Sequence, residues 1–237
     1  MNYELDTHTH TISSGHAYSS LQENVAAAKA KGLKLIAMTD HAPAMPGGAH
    51  IFHFYNLRII PEVIDGVRVL KGAEANIIDF EGNIDMDEEV LQNLEMVIAS
   101  LHPPCLKFGT EEEHTRTLIK TMENPRVNII GHPGDVRFNF DIKKVVAASK
   151  ATGTLLELNN SSLKPTSFRP GGDIFIKRIF EECRRVEVPI IIGSDAHYSS
   201  AVGDFEYAHR MLEKLDFPKE LVLNRSTEGF LKHIGLK

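Results

Sequence analysis

Residues 3–10, with the sequence YELDTHTH, form a short run that ends in two histidines two positions apart. Successive side chains of an extended strand point to opposite faces, so His8 and His10 lie on the same side. One strand end thus presents two imidazoles to one pocket. The stretch predicts a strand with a pair of ligands at its end, and later parts of the chain repeat this form.

Apolar runs rich in β-branched residues recur along the chain and alternate with stretches of helical periodicity. They predict strands at 3–7, 35–39, 68–73, 96–100, 127–131, 154–158 and 189–194. The intervening helices are predicted at 21–31, 111–122, 142–151, 174–185 and 204–214, with 226–234 closing the chain. This order indicates a buried parallel sheet covered by helices, which is either a closed β/α barrel or an open doubly wound sheet.

Composition limits the class of protein. The chain has 237 residues, 42% of them hydrophobic, and no linker-like run, so we expect one domain over residues 1–237. It lacks an apolar run of the roughly 20 residues that a membrane span requires, and its start lacks the pattern of a secretory signal. We therefore expect a soluble, cytoplasmic protein without a membrane partner. Cys105 and Cys183 are isolated, which favours reduced thiols.

Net charge and histidine content indicate which kinds of ligand the chain could bind. The formal net charge of -6 argues against a general attraction to nucleic acid, although bound metal could reverse the field at one cleft. The chain also lacks a basic stripe and has few aromatic residues for base stacking. Its twelve histidines are its unusual feature, and their positions decide what they mean.

Nearly every predicted strand ends in a side chain that can bind a metal ion, which is where a β/α barrel gathers its active site. A single histidine at such a place is usually a satisfied polar residue, but packing alone does not explain the repetition, nor the acids beside the histidines. The pattern therefore predicts shared metal binding in a barrel. The strand-end segments are Asp6-Thr7-His8-Thr9-His10, Thr39-Asp40-His41, Gly72-Ala73-Glu74, Ser100-Leu101-His102, Gly131-His132-Pro133, Glu157-Leu158-Asn159 and Gly193-Ser194-Asp195-Ala196-His197.

The remaining histidines divide into two groups. His16 follows Ser13-Ser14-Gly15 in the loop above the first strand, so it can bend back over the strand ends, and we predict it to be a ligand. His50 and His53 are expected in an exposed loop. Surface positions on helices are expected for His114, His209 and His233.

The strand-end motifs, taken in order, resemble the PHP (polymerase and histidinol phosphatase) superfamily. The resemblance covers the chain from end to end and is specific through the order of the motifs. More narrowly, the chain is similar to the compact bacterial PHP phosphatases, which implies a distorted, TIM-like (β/α)7 barrel with about three zinc ions, Mn2+ or Fe being alternatives.

The resemblance also implies a ligand set. One ion would be held by His8, His10, Glu74 and Asp195, a second by Glu74, His102 and His132, and a third by His16, His41 and His197. Glu74 would then bridge two ions, which offsets the repulsion between them. Glu74, Asp195 and His197 are the predicted catalytic residues. Asp6 and Asp40 adjoin ligand histidines and either orient imidazoles or form structural salt bridges.

The predicted function is hydrolysis of a small phosphorylated substrate by a metal-activated water at a trinuclear site. No nucleophile motif is present, so direct attack by water is preferred to a covalent intermediate. The alternatives are a histidinol phosphatase, a nucleotide or 3′-end DNA phosphoesterase, and a metal-binding module without turnover. Arg169 is predicted as a phosphate clamp, and Asn159 as a second substrate contact, in the loop after the sixth strand.

Overall fold

The computed structural model describes residues 2–169 and 172–236. Eight strands are found there: β1 Leu5–Thr9, β2 Leu35–Met38, β3 Val63–Ile64, β4 Val67–Asn76, β5 Met96–Ser100, β6 Ile129–Gly131, β7 Leu155–Asn159 and β8 Ile190–Gly193. The α-helices of the same residues are α1 Leu21–Ala30, α2 Ile51–Asn56, α3 Glu88–Leu91, α4 Glu111–Glu123, α5 Ile142–Thr152, α6 Gly172–Val186, α7 Glu206–Lys214 and α8 Thr227–His233. Short 3-10 turns complete several of the loops.

Local sequence signals set the helix ends. Ser20 and Glu23 form a reciprocal capping box at the start of α1, as Thr110 and Glu113 do at the start of α4. At the end of α5, Gly153 has a left-handed φ of 80° that glycine adopts without strain. These signals explain why the six predicted helices are confirmed to within a few residues at each end.

The seven predicted strands form a parallel barrel that is nearly closed. The strand order is β1-β2-β4-β5-β6-β7-β8, and β3 pairs antiparallel with β4 outside this path. The predicted α/β fold, a TIM-like (β/α)7 barrel, is therefore confirmed. The short elements β3, α2 and α3 were not predicted, since each is too brief to show a periodic pattern.

The seam between β8 and β1 is joined by two different devices. Near the mouth, the carbonyl of Ala196 accepts a hydrogen bond from the amide of His10 at 2.9 Å. The amide of Ala196 donates to the carbonyl of His8 at 3.3 Å. At the other end, the buried side chain of Asn224 lies between β1 and β8 and forms hydrogen bonds with the backbone of both strands. Its Oδ1 accepts from the amide of Ile192 at 2.7 Å, and its Nδ2 donates to the carbonyls of Leu5 at 3.1 Å and Ile192 at 2.7 Å.

The barrel interior is apolar at its lower end and polar at its mouth. Phe230 and Leu231 of α8 close the bottom, packed against inward side chains such as Leu35, Leu70 and Ile98. Every second residue of a strand faces inward, so Leu70 of β4 is followed at the mouth by Glu74, and Leu155 of β7 by Glu157. Both acids are buried. The other face of the strands packs against the surrounding helices.

An irregularity in β1 turns its histidines inward. Asp6 pairs with Ile36 and Thr9 with Met38, so three steps along β1 match two along β2. Such a bulge reverses the alternation of side chains beyond it. Leu5 therefore packs in the barrel interior while His8, which would otherwise have the opposite parity, also faces inward.

No helix in residues 2–169 and 172–236 is long and apolar enough to cross a membrane. Cys105 and Cys183 are both free thiols, as predicted. Burial raises the pKa of the Cys183 thiol to about 12.

Asn224→Ala should lower the free energy of unfolding by about 3 kcal/mol, because three backbone partners at the seam lose their hydrogen bonds inside the protein. Urea unfolding at fixed metal concentration measures this. Asn93→Ala is the matched control, since the exposed Asn93 makes one hydrogen bond to Glu89 and should cost under about 1 kcal/mol. Equal losses in the two variants would contradict a role of Asn224 in closing the barrel.

Candidate metal centre

The nine side chains predicted as ligands meet at the mouth of the barrel. They come from the carboxyl ends of six parallel strands and from the loop after β1, and each lies within ring-contact or ion-pair distance of another member: His8, His10, His16, His41, Glu74, His102, His132, Asp195 and His197. Seven are buried or nearly so, whereas His197 is partly exposed and His16 is exposed. Residues distant in the sequence thus form one cluster.

Glu74 stands at the centre of this cluster. Its Oε1 accepts a hydrogen bond from the Ser100 hydroxyl at 2.7 Å and lies 2.8 Å from Nε2 of His132 and 3.3 Å from Nε2 of His102. Its Oε2 lies 3.4 Å from Nε2 of His8 and 3.5 Å from Nε2 of His10. The two oxygens of one carboxylate therefore face two separate groups of imidazoles.

The other ligand side chains flank this centre. Oδ1 of Asp195 lies 3.7 Å from Nε2 of His8 and 3.4 Å from Nε2 of His10. The Nε2 atoms of His41 and His16 are 3.2 Å apart, and the ring of His197 stacks on that of His16 with centroids 4.7 Å apart. Candidate ligand atoms of His10, His41 and His197 all lie within 4.8 Å of one another.

A hydrogen bond to Nδ1 fixes the tautomer of His8. Nδ1 lies 2.7 Å from Oε1 of the Glu157 carboxylate, which can only accept while ionised, so Nδ1 carries the proton. When the ring is neutral, its Nε2 lone pair is then directed toward Glu74 and Asp195. A carboxylate behind a histidine in this way is a common support for a metal ligand.

The tautomer of His10 is set by Ser14, whose hydroxyl proton is already donated to another group. The Ser14 hydroxyl donates to Oδ1 of Asp40 at 2.7 Å and accepts the amide of His41 at 3.0 Å. Its remaining lone pair faces Nδ1 of His10 at 3.2 Å, so His10 must donate there. The Nε2 lone pair of His10 consequently faces the cluster.

The same logic applies to His102 and His197. Nδ2 of Asn76 donates to Oδ2 of Asp85 at 2.7 Å, which leaves Oδ1 of Asn76 to accept from Nδ1 of His102 at 2.7 Å. Nδ1 of His197 donates to the backbone carbonyl of Asp195 at 3.1 Å. Four imidazoles therefore direct an Nε2 lone pair away from the supporting protein groups.

Buried atoms without hydrogen-bond partners test whether a metal fits here. Four such atoms lie together: Nε2 of His8, Nε2 of His10, Nδ1 of His41 and Oε2 of Glu74. Nδ1 of His41 and Oε2 of Glu74 lie 2.7 Å apart but do not have the alignment of a hydrogen bond. Buried lone pairs cost free energy unless they are satisfied, and cations bound in this cluster would satisfy them. The donor set of imidazoles and carboxylates suits Zn2+, Mn2+ or Fe.

The electrostatics of the cluster favour bound cations. Burial alone would raise the pKa values of Glu74 and Asp195, but the surrounding histidines hold both pKa values well below their usual range. Burial lowers the pKa of His10 to about 3, with further lowering from His41 and His197, and lowers that of His102 to about 4. At neutral pH the acids are therefore charged and these two imidazoles are neutral, which is the state that binds metal.

His8 differs from the other imidazoles. Burial lowers its pKa, but the nearby carboxylates of Glu157 and Glu74 outweigh burial and raise the pKa well above its ordinary value. Positive charge is thus stabilised at this point, and either a proton or a metal cation supplies it.

Two of the clustered side chains have a strained backbone. His132 has a φ of 28° and Asp195 a φ of 56°, in the left-handed region that residues with a side chain rarely adopt. Such strain costs roughly 1–3 kcal/mol and concentrates at functional sites. At both positions it directs a side chain from a strand end into the cluster.

Sequence reasoning assigned no role to some of the supporting residues. Glu157 lies two residues after the inward Leu155, and Asn76 lies two residues after Glu74, so the alternation of side chains along a strand was the available signal. Asp40 supports His10 through Ser14, as described above. Asp6 instead accepts backbone amides of Ser194 at 3.1 Å and Gly203 at 2.8 Å, which fixes the loop that carries Asp195.

The expected surface position of His114 is wrong. The residue is fully buried, its Nε2 accepts the amide of Gly109 at 2.8 Å, and its Nδ1 lies 2.9 Å from the carbonyl of Asn139. Helical periodicity left the inward face of α4 ambiguous because threonines occupy much of it. His53 was expected in an exposed loop but lies in α2 and is only partly exposed, with Nε2 3.3 Å from Oδ2 of the buried Asp40. His50 caps α2 by accepting the amide of Phe52.

A cavity of about 440 Å³ opens above the cluster, and Arg169 lies on its wall. The guanidinium is buried, donates to the Ser162 hydroxyl at 2.7 Å and lies 3.6 Å from Oδ2 of Asp195. Asn159 is behind this contact: its Oδ1 accepts from the Ser162 hydroxyl at 2.9 Å and its Nδ2 donates to Oδ2 of Asp195 at 3.3 Å. The substrate contacts of both residues stay predictions.

Comparison with known proteins agrees with this arrangement. The family model "PHP domain" matches residues 6–163, two thirds of the chain. The chain belongs to the PHP domain family. The predicted family membership is therefore confirmed, and the matched range carries every clustered side chain except Asp195 and His197.

The chain is also similar to PHP relatives over its whole length. A protein of Acetivibrio thermocellus named "Probable phosphatase" is 48% identical over 237 residues, which are 100% of this chain and 97% of the relative. A second, from Caldanaerobacter subterraneus, is 48% identical over 98% of this chain and 91% of the relative. The solved histidinol phosphate phosphatase of Lactococcus lactis, in complex with zinc, L-histidinol and phosphate, has a TM-score of 0.62 and 18% identity, covering 91% of this chain and 95% of that chain. At that identity the likeness extends to the fold.

Glu157→Gln should weaken zinc binding about 10- to 100-fold, the effect of losing the group that orients a ligand imidazole. Glutamine cannot replace both oxygens, because Oε1 faces the Nδ1 proton of His8 and Oε2 accepts the amide of His132 at 2.7 Å. Competition with a chelating dye measures the affinity. Glu181→Gln, which changes an exposed acid paired with Lys177 on α6, is the control. Equal affinity in the two variants would remove Glu157 from the support of the site.

Proposed function

We propose that this chain is a metal-dependent phosphatase that hydrolyses a small phosphorylated substrate with water at a site of about three zinc ions. The whole chain, 1–237, would act as one PHP domain, since the relatives align over nearly all of it. The observation that carries the proposal is the convergence of buried, unpartnered imidazole and carboxylate lone pairs at the floor of a cavity with an arginine on its wall. Relatives named "Probable phosphatase" support hydrolysis of phosphoester bonds.

The ligand roles in this proposal follow the three sets given by the family resemblance. His8, His10 and Asp195 lie on the Oε2 side of Glu74, and His102 and His132 lie on its Oε1 side, so Glu74 would take part in holding two of the ions. His16, His41 and His197 would hold the third ion. When bound, the cations polarise the phosphoryl oxygens and lower the pKa of a coordinated water.

Electrostatics explain why metal is needed even for binding. The charged carboxylates Glu74 and Asp195 lie beneath the cavity, and Arg169 is the buried cation on its wall. Even with a proton on His8, these two carboxylates leave the floor net negative, which disfavours a phosphate dianion. Bound cations reverse the sign of the local field and thereby create the anion site.

Arg169 would bind a phosphate oxygen, and Ser162 and Asn159 would hold it in place. The chain Asn159–Ser162–Arg169 is buried, so the guanidinium keeps its orientation at low entropic cost. Asp195 contacts Asn159 and Arg169 through Oδ2 while its Oδ1 faces His8 and His10. This side chain thus couples the phosphate clamp to the metal ligands.

The non-enzymatic alternative, a metal-binding module, fits the site less well. Structural zinc sites are usually closed sets of four ligands, whereas here the ligands are shared and a cavity opens above them. Elemental analysis followed by a panel of phosphomonoesters and diesters tests the choice. A metal-loaded protein that turned over no member of the panel would favour the binding module.

Chelation should abolish both turnover and the binding of inorganic phosphate, and added Zn2+ or Mn2+ should restore both. The second loss follows from the carboxylates that remain at the cavity floor. Calorimetry with inorganic phosphate provides a measurement independent of catalysis. Phosphate binding of equal strength to the chelated and loaded protein would contradict the proposed site.

Arg169→Ala should raise the KM for a phosphomonoester about 10- to 100-fold, the effect of losing a charge-assisted hydrogen bond. Arg169→Lys should recover part of this loss, because it retains the charge without the fork of donors. Steady-state kinetics with fully loaded protein measure both variants. Lys177→Ala, at an exposed residue of α6, is the control. An unchanged KM would remove Arg169 from phosphate binding.

A further inference from the structure

The cavity has two chemically different walls. Its floor is formed by the clustered histidines and Asp195, whereas its outer wall includes Met45, Phe168, Tyr198 and Ala201. A volume of about 440 Å³ is within the range of sites that hold whole small molecules, roughly 300–1,000 Å³. The outer wall therefore borders the space that the alcohol part of a phosphomonoester would fill.

Two aromatic side chains of this wall are exposed to solvent. Phe168 exposes 69% of its surface and Tyr198 exposes 58%. Phe168 carries the Arg169 guanidinium 4.7 Å from its ring centroid, so it is joined to the proposed phosphate clamp. Tyr198 directly follows His197 of the metal cluster. Single exposed apolar side chains are ordinary, but two aromatic rings on the wall of one cavity mark a candidate surface for a ligand.

The charges of the outer wall are already paired. Lys164 lines the cavity, but its Nζ lies 2.8 Å from Oδ2 of Asp204. Asp195 is the acid among the described lining residues, and it faces His8, His10 and Arg169. A second phosphate would find no unpaired lysine or arginine on the described part of this wall, and an ammonium group would find no unpaired carboxylate.

We propose that the substrate is a phosphomonoester of an uncharged alcohol carrying a flat aromatic ring, which packs on Phe168 and Tyr198 while its phosphate faces Arg169 and the metal cluster. This inference rests on the proposed phosphatase function and specifies its substrate class. A nucleoside and an aryl alcohol share the required chemistry. The paired charges disfavour a bisphosphorylated nucleoside and the cationic alcohol histidinol.

The test uses substrates that differ by the ring alone. Adenosine 5′-monophosphate and ribose 5-phosphate share the sugar phosphate and differ in the base; 2-phenylethyl phosphate and butyl phosphate form the corresponding aryl pair. With zinc-loaded, full-length protein, kcat/KM should favour the aromatic member of at least one pair by about tenfold, the effect of one stacked ring. The pair with the larger preference identifies the nucleoside or the aryl source.

Variants assign the preference to the two rings. Phe168→Leu combined with Tyr198→Leu should bring the ratio within each pair close to one, and Tyr198→Phe, which keeps the ring, should retain it. Because the ratio is taken within each variant, a general loss of activity cancels. Phe52→Leu, at an exposed ring outside the cavity, is the control and should leave the ratio unchanged.

The outcomes separate this inference from the function on which it rests. Turnover without preference in either pair, or a preference that survives in the double leucine variant, would overturn the aromatic site and leave the phosphatase intact. If nothing is hydrolysed, the phosphatase proposal fails, and calorimetric titration with the same compounds decides the inference. Tighter binding of an aromatic member that is lost in the double variant supports it, and equal binding overturns it.

Discussion

The carboxylate of Glu74, buried among imidazoles, is the interaction on which the rest of the structure depends. A fully buried anion is costly unless positive or hydrogen-bonding groups surround it. Here the Ser100 hydroxyl and the Nε2 atoms of four histidines approach its two oxygens within 3.5 Å. Those groups come from three strands, β1, β5 and β6, so the barrel must bring these strand ends together for the acid to be tolerated.

Small residues on neighbouring strands make room for the acids. A Cβ on Gly193 would lie 1.8 Å from Oε1 of Glu157, and a Cβ on Gly131 would lie 2.2 Å from the Ser100 hydroxyl oxygen. Larger residues would therefore displace the groups that orient His8 and Glu74. Large apolar side chains fill the lower half of the barrel. At the mouth, glycines on the strands leave space for the polar side chains.

Two loops at the mouth carry side chains with different proposed roles. The loop after β1 holds His16 and Ser14, and the loop after β7 holds Ser162, Phe168 and Arg169. Rigid strands thus position the proposed ligands, and more variable connections position the proposed substrate contacts. The motifs that predicted family membership lie at the strand ends, whereas the proposed substrate contacts lie in the loops.

Sequence alone predicted the barrel and its mouth because local rules govern both. Apolar runs, helix caps and the repeated placement of metal-binding residues after each strand, as in 35–41 and 96–102, are visible within short windows. The seam contact of Asn224 and the buried position of His114 were not predicted, since each depends on groups distant in the sequence.

The sequence by itself therefore determined the fold class and which side chains would stand at the strand ends. Tertiary structure decided how those side chains are used. The bulge in β1 turns His8 inward, Glu157 and Ser14 fix the tautomers of His8 and His10, and Asp204 pairs with Lys164 at the outer wall of the cavity. These properties depend on distances between atoms from different strands and loops, which no local pattern of residues contains.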